Sequence, residues 1–479
     1  MARDSKPWYR TRNLVLVAVV AALAWLTYAI TWAYTATPYD AFDFPGWIAE
    51  RRPDRDRIHG LGEPNAYQLL IDAGTVAYEV RSLEVASSIQ SGATSGVRGS
   101  DLYDGLPLRE RGWPEADRQL TLGFLERLEA AGFEDLIADA AAAKRYEPPP
   151  ISLLAIETPL LDLSAQRFVV RHCTIRMAIA TEDADDDALV DWLRKAVAIC
   201  EHAHTREWII AMLTANWCEF LCFEQVAYAV VERRWSPVAL RRIDEILSRA
   251  DGPGSLKRVL DFERAAAIDT LDAFYDRNGR MLYASFDEVA SWGSSTLPKI
   301  ANLAGFAIID RRAAERSIND YFDVVAEQTQ PSHGEVLWEN LGPAVEARVE
   351  RTLVLDWQYL SYEQVGEAVA SIDAVRQGVR VLLAIERFRA EHEALPASLD
   401  QLVDVGLVDT VINPTTDEPY VFLTDRDATG LSDDDPRDYL LLTKEVGVAD
   451  DPITGWKDPE ELGDELINKR ARLHETVDW

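Results

Sequence analysis

The pattern of apolar and charged positions separates one long uncharged stretch near the start of the chain from the rest. From Asn13 to Tyr39 there is no charged residue. About 20 apolar residues are enough to cross the ~30 Å hydrocarbon core of a bilayer as a helix. The pattern therefore predicts a cytoplasmic stub at 1–12, a transmembrane helix at 13–37 and a tether at 38–64.

The charges around this stretch predict its orientation. Four basic residues lie before it, and Asp40 and Asp43 follow it. Because basic flanks stay in the cytoplasm, the stub is expected inside and the bulk of the chain in the extracytoplasmic space. This topology predicts a single-pass protein of the inner (cytoplasmic) membrane that contacts the lipid bilayer through 13–37. A cleaved signal peptide is the alternative, but its apolar stretch usually spans only 7–15 residues.

Helical periodicity resumes at Asn65, a residue type suited to cap the N-terminus of a helix. Prolines at 148–150 end this first region, since proline cannot continue a helix and stiffens an extended connector. Long periodic blocks separated by short gaps follow, which is typical of antiparallel helices in a bundle or array. We therefore expect a helical region at 65–147 and a helical domain at 151–365.

The block from Trp208 to Glu232 is apolar nearly all round, a pattern typical of a membrane span or of a helix central to a core. Glu219 and Glu224 lie in its middle. Charges at that depth of a bilayer cost about 2.5–3.5 kcal/mol each. The block is therefore predicted to be a central helix of the bundle.

Composition narrows the kinds of partner. The chain has 479 residues, with 49 Lys plus Arg against 81 Asp plus Glu and a formal net charge of -32. So negative a chain is not expected to bind nucleic acid. Its hydrophobic fraction of 48% is that of a folded globular protein, so the acidity does not indicate disorder.

Residues 65–280 resemble the ectodomain of a group of uncharacterised bacterial proteins with one N-terminal anchor. The resemblance rests on Asn65-Ala-Tyr, on the proline-rich connector and on paired helices ending in Leu260-Asp-Phe-Glu263. It implies a membrane-anchored helical body and brings no biochemical activity with it.

The C-terminal part carries a second resemblance. An amphipathic stretch from Val379 ends at Pro396, and Asn413-Pro414 and Pro419-Tyr420 precede a strand-like segment, Asp438–Thr443. This order is similar to that of type II secretion pseudopilins of the G type. The resemblance implies a small α+β module at 370–455, followed by a C-terminal tail at 456–479.

Acidic residues flank the last strand-like segment of this module. Pseudopilins of this type bind calcium through acidic loop residues, and hard oxygen ligands in a loop suit calcium. A solvated acidic surface is the alternative in so negative a chain. The residues to which the resemblance would assign calcium binding are Asp433, Asp434, Asp435, Asp450 and Asp451.

All four cysteines lie within residues 173–222. Cys200/His204 and Cys218/Cys222 are each spaced i,i+4, which places each pair on one helix face. Four such ligands could complete a tetrahedral zinc site. The alternatives are free thiols packed in the core and a Cys173–Cys200 disulfide between adjacent helices.

Three carboxylates lie on strongly apolar helices: Glu219, Glu224 and Glu263. Burial raises the pKa of a carboxyl group, and such a group can act as a general acid or base. Pairing with arginine inside the core is the alternative. The sequence contains none of the common motifs of zinc proteases, serine hydrolases, thiol oxidoreductases or dinucleotide-binding proteins.

These patterns together predict a mainly α protein: an N-terminal transmembrane helix, an extracytoplasmic helical bundle or array, and a small α+β pseudopilin-like module. The expected function is that of a membrane-anchored scaffold or binding protein whose partners are other extracytoplasmic or envelope proteins. A membrane-anchored hydrolase that uses buried glutamates as general acid and base is the competing hypothesis. No cofactor is predicted beyond the calcium and zinc candidates.

Overall fold

The computed structural model describes residues 64–90, 115–148, 161–232, 234–249, 256–275, 311–328, 341–349, 362–414, 418–424 and 439–442. This part of the chain is mainly helical, which confirms the predicted fold class at that level. Its helices are α1 (Ala66–Gln90), α2 (Glu115–Ala130), α3 (Phe133–Ala142), α4 (Leu161–Glu182), α5 (Asp186–His204), α6 (Ile209–Glu232), α7 (Pro237–Arg249), α8 (Leu256–Phe274), α9 (Arg311–Gln328), α10 (Leu341–Arg348), α11 (Tyr362–His392) and α12 (Asp400–Asp404). Its strands are β1 (Ile412–Asn413), β2 (Glu418–Pro419), β3 (Val421–Leu423) and β4 (Leu440–Leu442).

Helix α5 shows why these segments are helical. The Asp185 side chain caps its N-terminus by accepting a hydrogen bond from the Ala188 N–H at 2.9 Å. Acidic residues fill its first turn and two histidines its last, an order that complements the helix dipole. Leu189, Leu193 and Val197 recur at helical spacing and are buried, so one face of the helix joins the core.

Asn65 caps α1 as predicted and also closes the first helical region. Its Oδ1 accepts hydrogen bonds from the N–H groups of Tyr67 at 3.1 Å and Glu147 at 2.9 Å. Its Nδ2 donates to the Glu147 carbonyl at 2.7 Å. The segment before Pro148 is thereby fastened to the start of α1.

Two hydrophobic cores share α6. The larger is built from α1, α2, α3, α4, α5, α7, α11, α12, the part of α6 from Cys218 to Val230, and residues beside the strands such as Tyr420 and Tyr439. The smaller joins α8, α9 and α10 to Ile209 and Met212 in the first turn of α6. This double burial explains why α6 is apolar nearly all round, and it confirms the prediction of a central bundle helix.

None of the helices in the described part of the chain is long and apolar enough to cross a membrane. This finding corrects the sequence-based description of the chain as a single-pass membrane protein with a signal anchor; a helical bundle is the description that the structure supports. The span at 13–37, on which that description rested, lies outside the described residues, as does the tail at 456–479.

Helix α11 spans the expected boundary between the helical domain and the C-terminal module, because it runs without interruption from Tyr362 to His392. Its Val381, Leu383 and Ile385 are fully buried and belong to the larger core. The module expected at 370–455 thus shares a hydrophobic core with the helices before it.

After α11 come the short helix α12 and two pairs of short strands. β1 pairs antiparallel with β2, with Ile412 opposite Pro419, and β3 pairs antiparallel with β4, with Phe422 opposite Leu441. Tyr420, which lies between β2 and β3, donates a hydrogen bond to the Ala374 carbonyl of α11 at 2.6 Å. The strands are therefore docked on α11.

A close crossing of α1 and α4 gives a test of this packing. A Cβ placed on Gly74 would lie 2.9 Å from the Ala165 Cβ. Gly74→Ala is expected to destabilise the protein by about 1–3 kcal/mol because the helices must separate. This loss outweighs the gain in helix propensity of about 1 kcal/mol. Urea denaturation would measure it.

Gly123 of α2 provides the matched control. The nearest atom to a Cβ there is the flexible Arg127 Nη1 at 3.8 Å. Gly123→Ala is therefore expected to stabilise by about 0.5–1 kcal/mol. Equal effects of the two substitutions would contradict the close crossing.

Candidate functional site

Several buried polar contacts lie between the end of α5 and the start of α6. We call this segment, residues 202–209, the α5–α6 junction. Three alternating residues of the junction each make a polar contact with a different element. His202 lies with its Nε2 3.0 Å from the Ala140 carbonyl at the end of α3. His204 and Arg206 meet the carboxylates of Glu219 and Asp162.

Glu219 is held from two sides. Its Oε1 lies 2.9 Å from His204 Nε2, and its Oε2 accepts a hydrogen bond from Arg376 Nη2 at 2.7 Å. The side chain of Glu219 is 1% exposed. Arg376 also donates to Asp373 Oδ1 at 3.0 Å and lies 5.6 Å from the centroid of the Phe223 ring. Both oxygens of the carboxylate are therefore engaged in joining α5, α6 and α11.

Asp162, at the start of α4, is the centre of a second buried cluster. Tyr146 donates its hydroxyl proton to Asp162 Oδ2, and Gln166 Nε2 donates to the Tyr146 oxygen at 2.8 Å. Arg206 Nη2 lies 3.4 Å from Asp162 Oδ1. Burial and the negative charge of Asp162 raise the pKa of Tyr146 well above its ordinary value, so the phenol stays a hydrogen-bond donor.

Tyr146 also connects this cluster to the junction. Its ring stacks on the His202 ring with centroids 5.5 Å apart. Burial lowers the pKa of His202 from its ordinary value, which favours the neutral ring. The contact between Tyr146 and His202 therefore serves packing and needs no charge.

Glu263 of α8 caps the N-terminus of α6. Its Oε1 accepts a hydrogen bond from the Ile209 N–H at 2.7 Å, and the side chain is partly buried. Burial raises the pKa of Glu263 to about 7, against the lowering effect of that hydrogen bond. Nearby, Arg258 donates to the His204 carbonyl at 3.0 Å. The smaller core is thus fastened to the junction by polar contacts.

The raised pKa of Glu263 predicts a pH dependence of stability. The folded chain keeps the Glu263 proton up to about pH 7, whereas an ordinary glutamate loses it near 4.5. The native state binds more protons between these values, so this group makes stability fall as pH rises through the window. Glu263→Gln is expected to flatten the fall, measured by urea denaturation at a series of pH values.

Glu245, exposed on α7, supplies the control substitution Glu245→Gln, which also removes one carboxylate. If Glu263→Gln and the wild type show the same dependence of unfolding free energy on pH, the assignment to Glu263 is wrong.

The three glutamates proposed as catalytic do not form one constellation. Glu219 and Glu224 are five positions apart on α6, which places them about 140° apart around the helix. Glu263 bonds to the first residue of α6, and Glu219 lies ten positions, about 15 Å, further along the axis. Glu219 bonds to His204 and Arg376, whereas Glu263 bonds to the Ile209 N–H, so the two carboxylates do not share one site.

The four cysteines are free and buried in the larger core. Hydrogen bonds with Cys218 and Cys222, together with burial, raise the pKa of Cys200 well above its ordinary value. Burial likewise raises the pKa of Cys173, and the nearby Cys222 adds to the effect. Because the thiolate is the form that attacks electrophiles, Cys173 and Cys200 are poorly suited to act as nucleophiles.

The expected zinc ligands are only partly brought together. Cys200 contacts both Cys218 and Cys222, but the fourth ligand, His204, is bonded to Glu219 instead. Within the ranges that the structure describes, no group of three or more His, Cys, Asp or Glu side chains is arranged to hold a metal ion. The calcium candidates Asp433, Asp434, Asp435, Asp450 and Asp451 lie outside those ranges.

Sequence reasoning missed the partners that define the junction. Arg376 is 157 positions from Glu219. Arg206 meets Asp162 of α4, to which Tyr146 also donates a hydrogen bond. The signal that could have indicated the site is the alternation His202, His204, Arg206 between two apolar helices. An alternating polar segment at a helix junction has to find buried partners, because buried polar groups are almost always bonded.

No protein-family model, curated protein or solved structure matches this chain. The resemblances to pseudopilins and to single-anchor bacterial proteins therefore gain no support from known proteins, and the assignment of function rests on the geometry of the junction.

Proposed function

We propose that this chain is a helical scaffold that binds another protein. One observation carries the proposal. Glu219, the most deeply buried of the glutamates considered for catalysis, is bonded to both His204 and Arg376. A carboxylate with both oxygens bonded by cationic or potentially cationic groups supports packing between helices rather than attack on a substrate.

The energetics of the site support this interpretation. A catalytic carboxylate has to reach a substrate proton within about 2.6–3.2 Å. Glu219 is 1% exposed, and Arg376 covers its second oxygen. Separating the Glu219 carboxylate from Arg376 would leave it buried with His204 as its remaining partner, at a cost of several kcal/mol. The arrangement favours a fixed structural bond.

The charge of the chain favours a protein as partner. A formal charge of -32 repels nucleic acid, whose phosphates would have to be neutralised by basic residues. A mainly helical body whose helices carry exposed side chains can instead present shape and charge to another protein.

Affinity purification of the full chain from its native cells, after chemical cross-linking, tests the scaffold. The expected result is one protein that is enriched equally with the wild type and with Glu263→Gln, because binding does not require a titrating carboxyl group. Cross-links between defined residues of both proteins, reproduced with the purified pair, would establish direct contact. Failure of every enriched protein to bind the purified chain would contradict the proposal.

One observation favours a hydrolase as second candidate. The pKa of about 7 places Glu263 where a general acid or base works well near neutral pH. Hydrolysis of glycosidic, ester and peptide substrates by the purified chain would test this. The hydrolase requires turnover that Glu263→Gln abolishes while its fold, followed by circular dichroism, is unchanged; no turnover in the wild type rejects it.

A further inference from the structure

Four polar atoms in the Asp162 cluster have no hydrogen-bond partner among the described residues. Two are acceptors, Asp162 Oδ1 and Gln166 Oε1, and two are donors, Arg206 Nε and Arg206 Nη2. The three side chains are nearly inaccessible to solvent, with exposed fractions of 0%, 1% and 5%. Buried polar atoms without partners are costly, so something has to bond to them.

The bonds already described bring these four atoms together. Asp162 Oδ1 and Oδ2 share one carbon, and Oδ2 accepts the Tyr146 hydroxyl, which in turn accepts from Gln166 Nε2 at 2.8 Å. Gln166 Oε1 shares its carbon with that Nε2. Arg206 Nη2 lies 3.4 Å from Asp162 Oδ1, and Nε lies on the same guanidinium. One small group can therefore face both donors and both acceptors.

The chemistry of the four atoms selects the ligand. A cation would oppose the charged N–H groups of Arg206, and an anion would oppose the Asp162 carboxylate and the Gln166 carbonyl oxygen. The ligand has to donate two hydrogen bonds and accept two. Water does this in a tetrahedral arrangement, and buried waters typically make two to four bonds to otherwise unsatisfied groups.

We propose that one buried water molecule binds between Asp162, Gln166 and Arg206, donating to the two side-chain oxygens and accepting from the two guanidinium nitrogens. It links the start of α4 to the α5–α6 junction, where the direct contact between Arg206 and Asp162 is too poorly oriented to count as a hydrogen bond. The site is independent of the scaffold proposal.

A high-resolution crystal structure of the full wild-type chain tests the site directly. The expected result is one ordered density peak about 2.7–3.2 Å from Asp162 Oδ1, Gln166 Oε1 and Arg206 Nε or Nη2. The proposal is overturned if there is no such peak and Arg206 instead donates directly to Asp162 through both nitrogens.

Relaxation dispersion of water oxygen-17 in solution gives a second measurement, since it detects internal waters by their long residence. Gln166→Met keeps a side chain of similar length but removes one acceptor of the water, so its residence should shorten and the dispersion should decrease. Gln68→Met makes the same change at an exposed site and should leave the dispersion unchanged. A Gln166→Met dispersion equal to that of the wild type would overturn the proposal.

Discussion

Arg376→Met is expected to destabilise the protein by about 3–5 kcal/mol, because it leaves the buried Glu219 carboxylate without its strongest partner. Arg376 donates to Glu219 Oε2 at 2.7 Å, and the Glu219 side chain is 1% exposed. Methionine fills much of the same volume without supplying a charge. The loss should appear as a lower midpoint of urea denaturation followed by tryptophan fluorescence.

The matched control is Arg348→Met, which breaks the ion pair of Arg348 with Glu327 near the smaller core. The two side chains of that pair are 48% and 55% exposed. Ion pairs between exposed side chains contribute little to stability, so the control should shift the midpoint little. Equal losses in the two variants would show that the burial of Glu219 does not matter.

Arg206→Met is the second large expected effect, again about 3–5 kcal/mol. The substitution removes the only cation that the structure records beside Asp162, whose side chain is fully buried. Tyr146 still donates to the other carboxylate oxygen, so the cluster keeps one of its bonds. The free energy of unfolding from urea titration measures the effect.

Arg194→Met is the control for Arg206→Met. Arg194 pairs with Asp191 at 3.2 Å on the surface of α5, and the two side chains are 55% and 48% exposed. We expect a loss below about 1 kcal/mol there. A loss from Arg206→Met no larger than this would mean that Asp162 is satisfied without Arg206.

Local chemistry made part of this fold predictable. Asn65 has the side chain that caps a helix, and it does so. The block from Trp208 to Glu232 is apolar on all faces, and it became the helix that two cores share. α11 ends at His392, shortly before Pro396, and Glu393 between them has a left-handed φ of 57°. Each of these features depends on residues close together in the sequence.

The candidate site could not be predicted in the same way. Pairing with an arginine was one of the two interpretations of Glu219, but nothing near it in sequence indicates Arg376, which lies on α11. The pairing depends on how α11 packs against α6, and that packing joins a helix expected in a separate module to the larger core. Contacts between distant segments follow from the tertiary packing of several helices at once.

Of the three interpretations of the cysteines, the structure shows free thiols packed in the core. The i,i+4 spacing predicts that Cys200 and His204 share one face of α5. In the structure His204 bonds to Glu219, whereas Cys200 contacts Cys218 and Cys222. The membrane description rested on a segment outside the described residues, and no helix within them is apolar and long enough to span a bilayer.

The central claim is that Glu219 is a structural residue held by Arg376, and a double-mutant cycle tests it most directly. The variants are Glu219→Leu, Arg376→Met and the two combined, each measured by urea denaturation. The account predicts that the double variant is more stable than Arg376→Met alone, with a coupling energy of about 1–3 kcal/mol. Single effects that add within about 0.5 kcal/mol would contradict it.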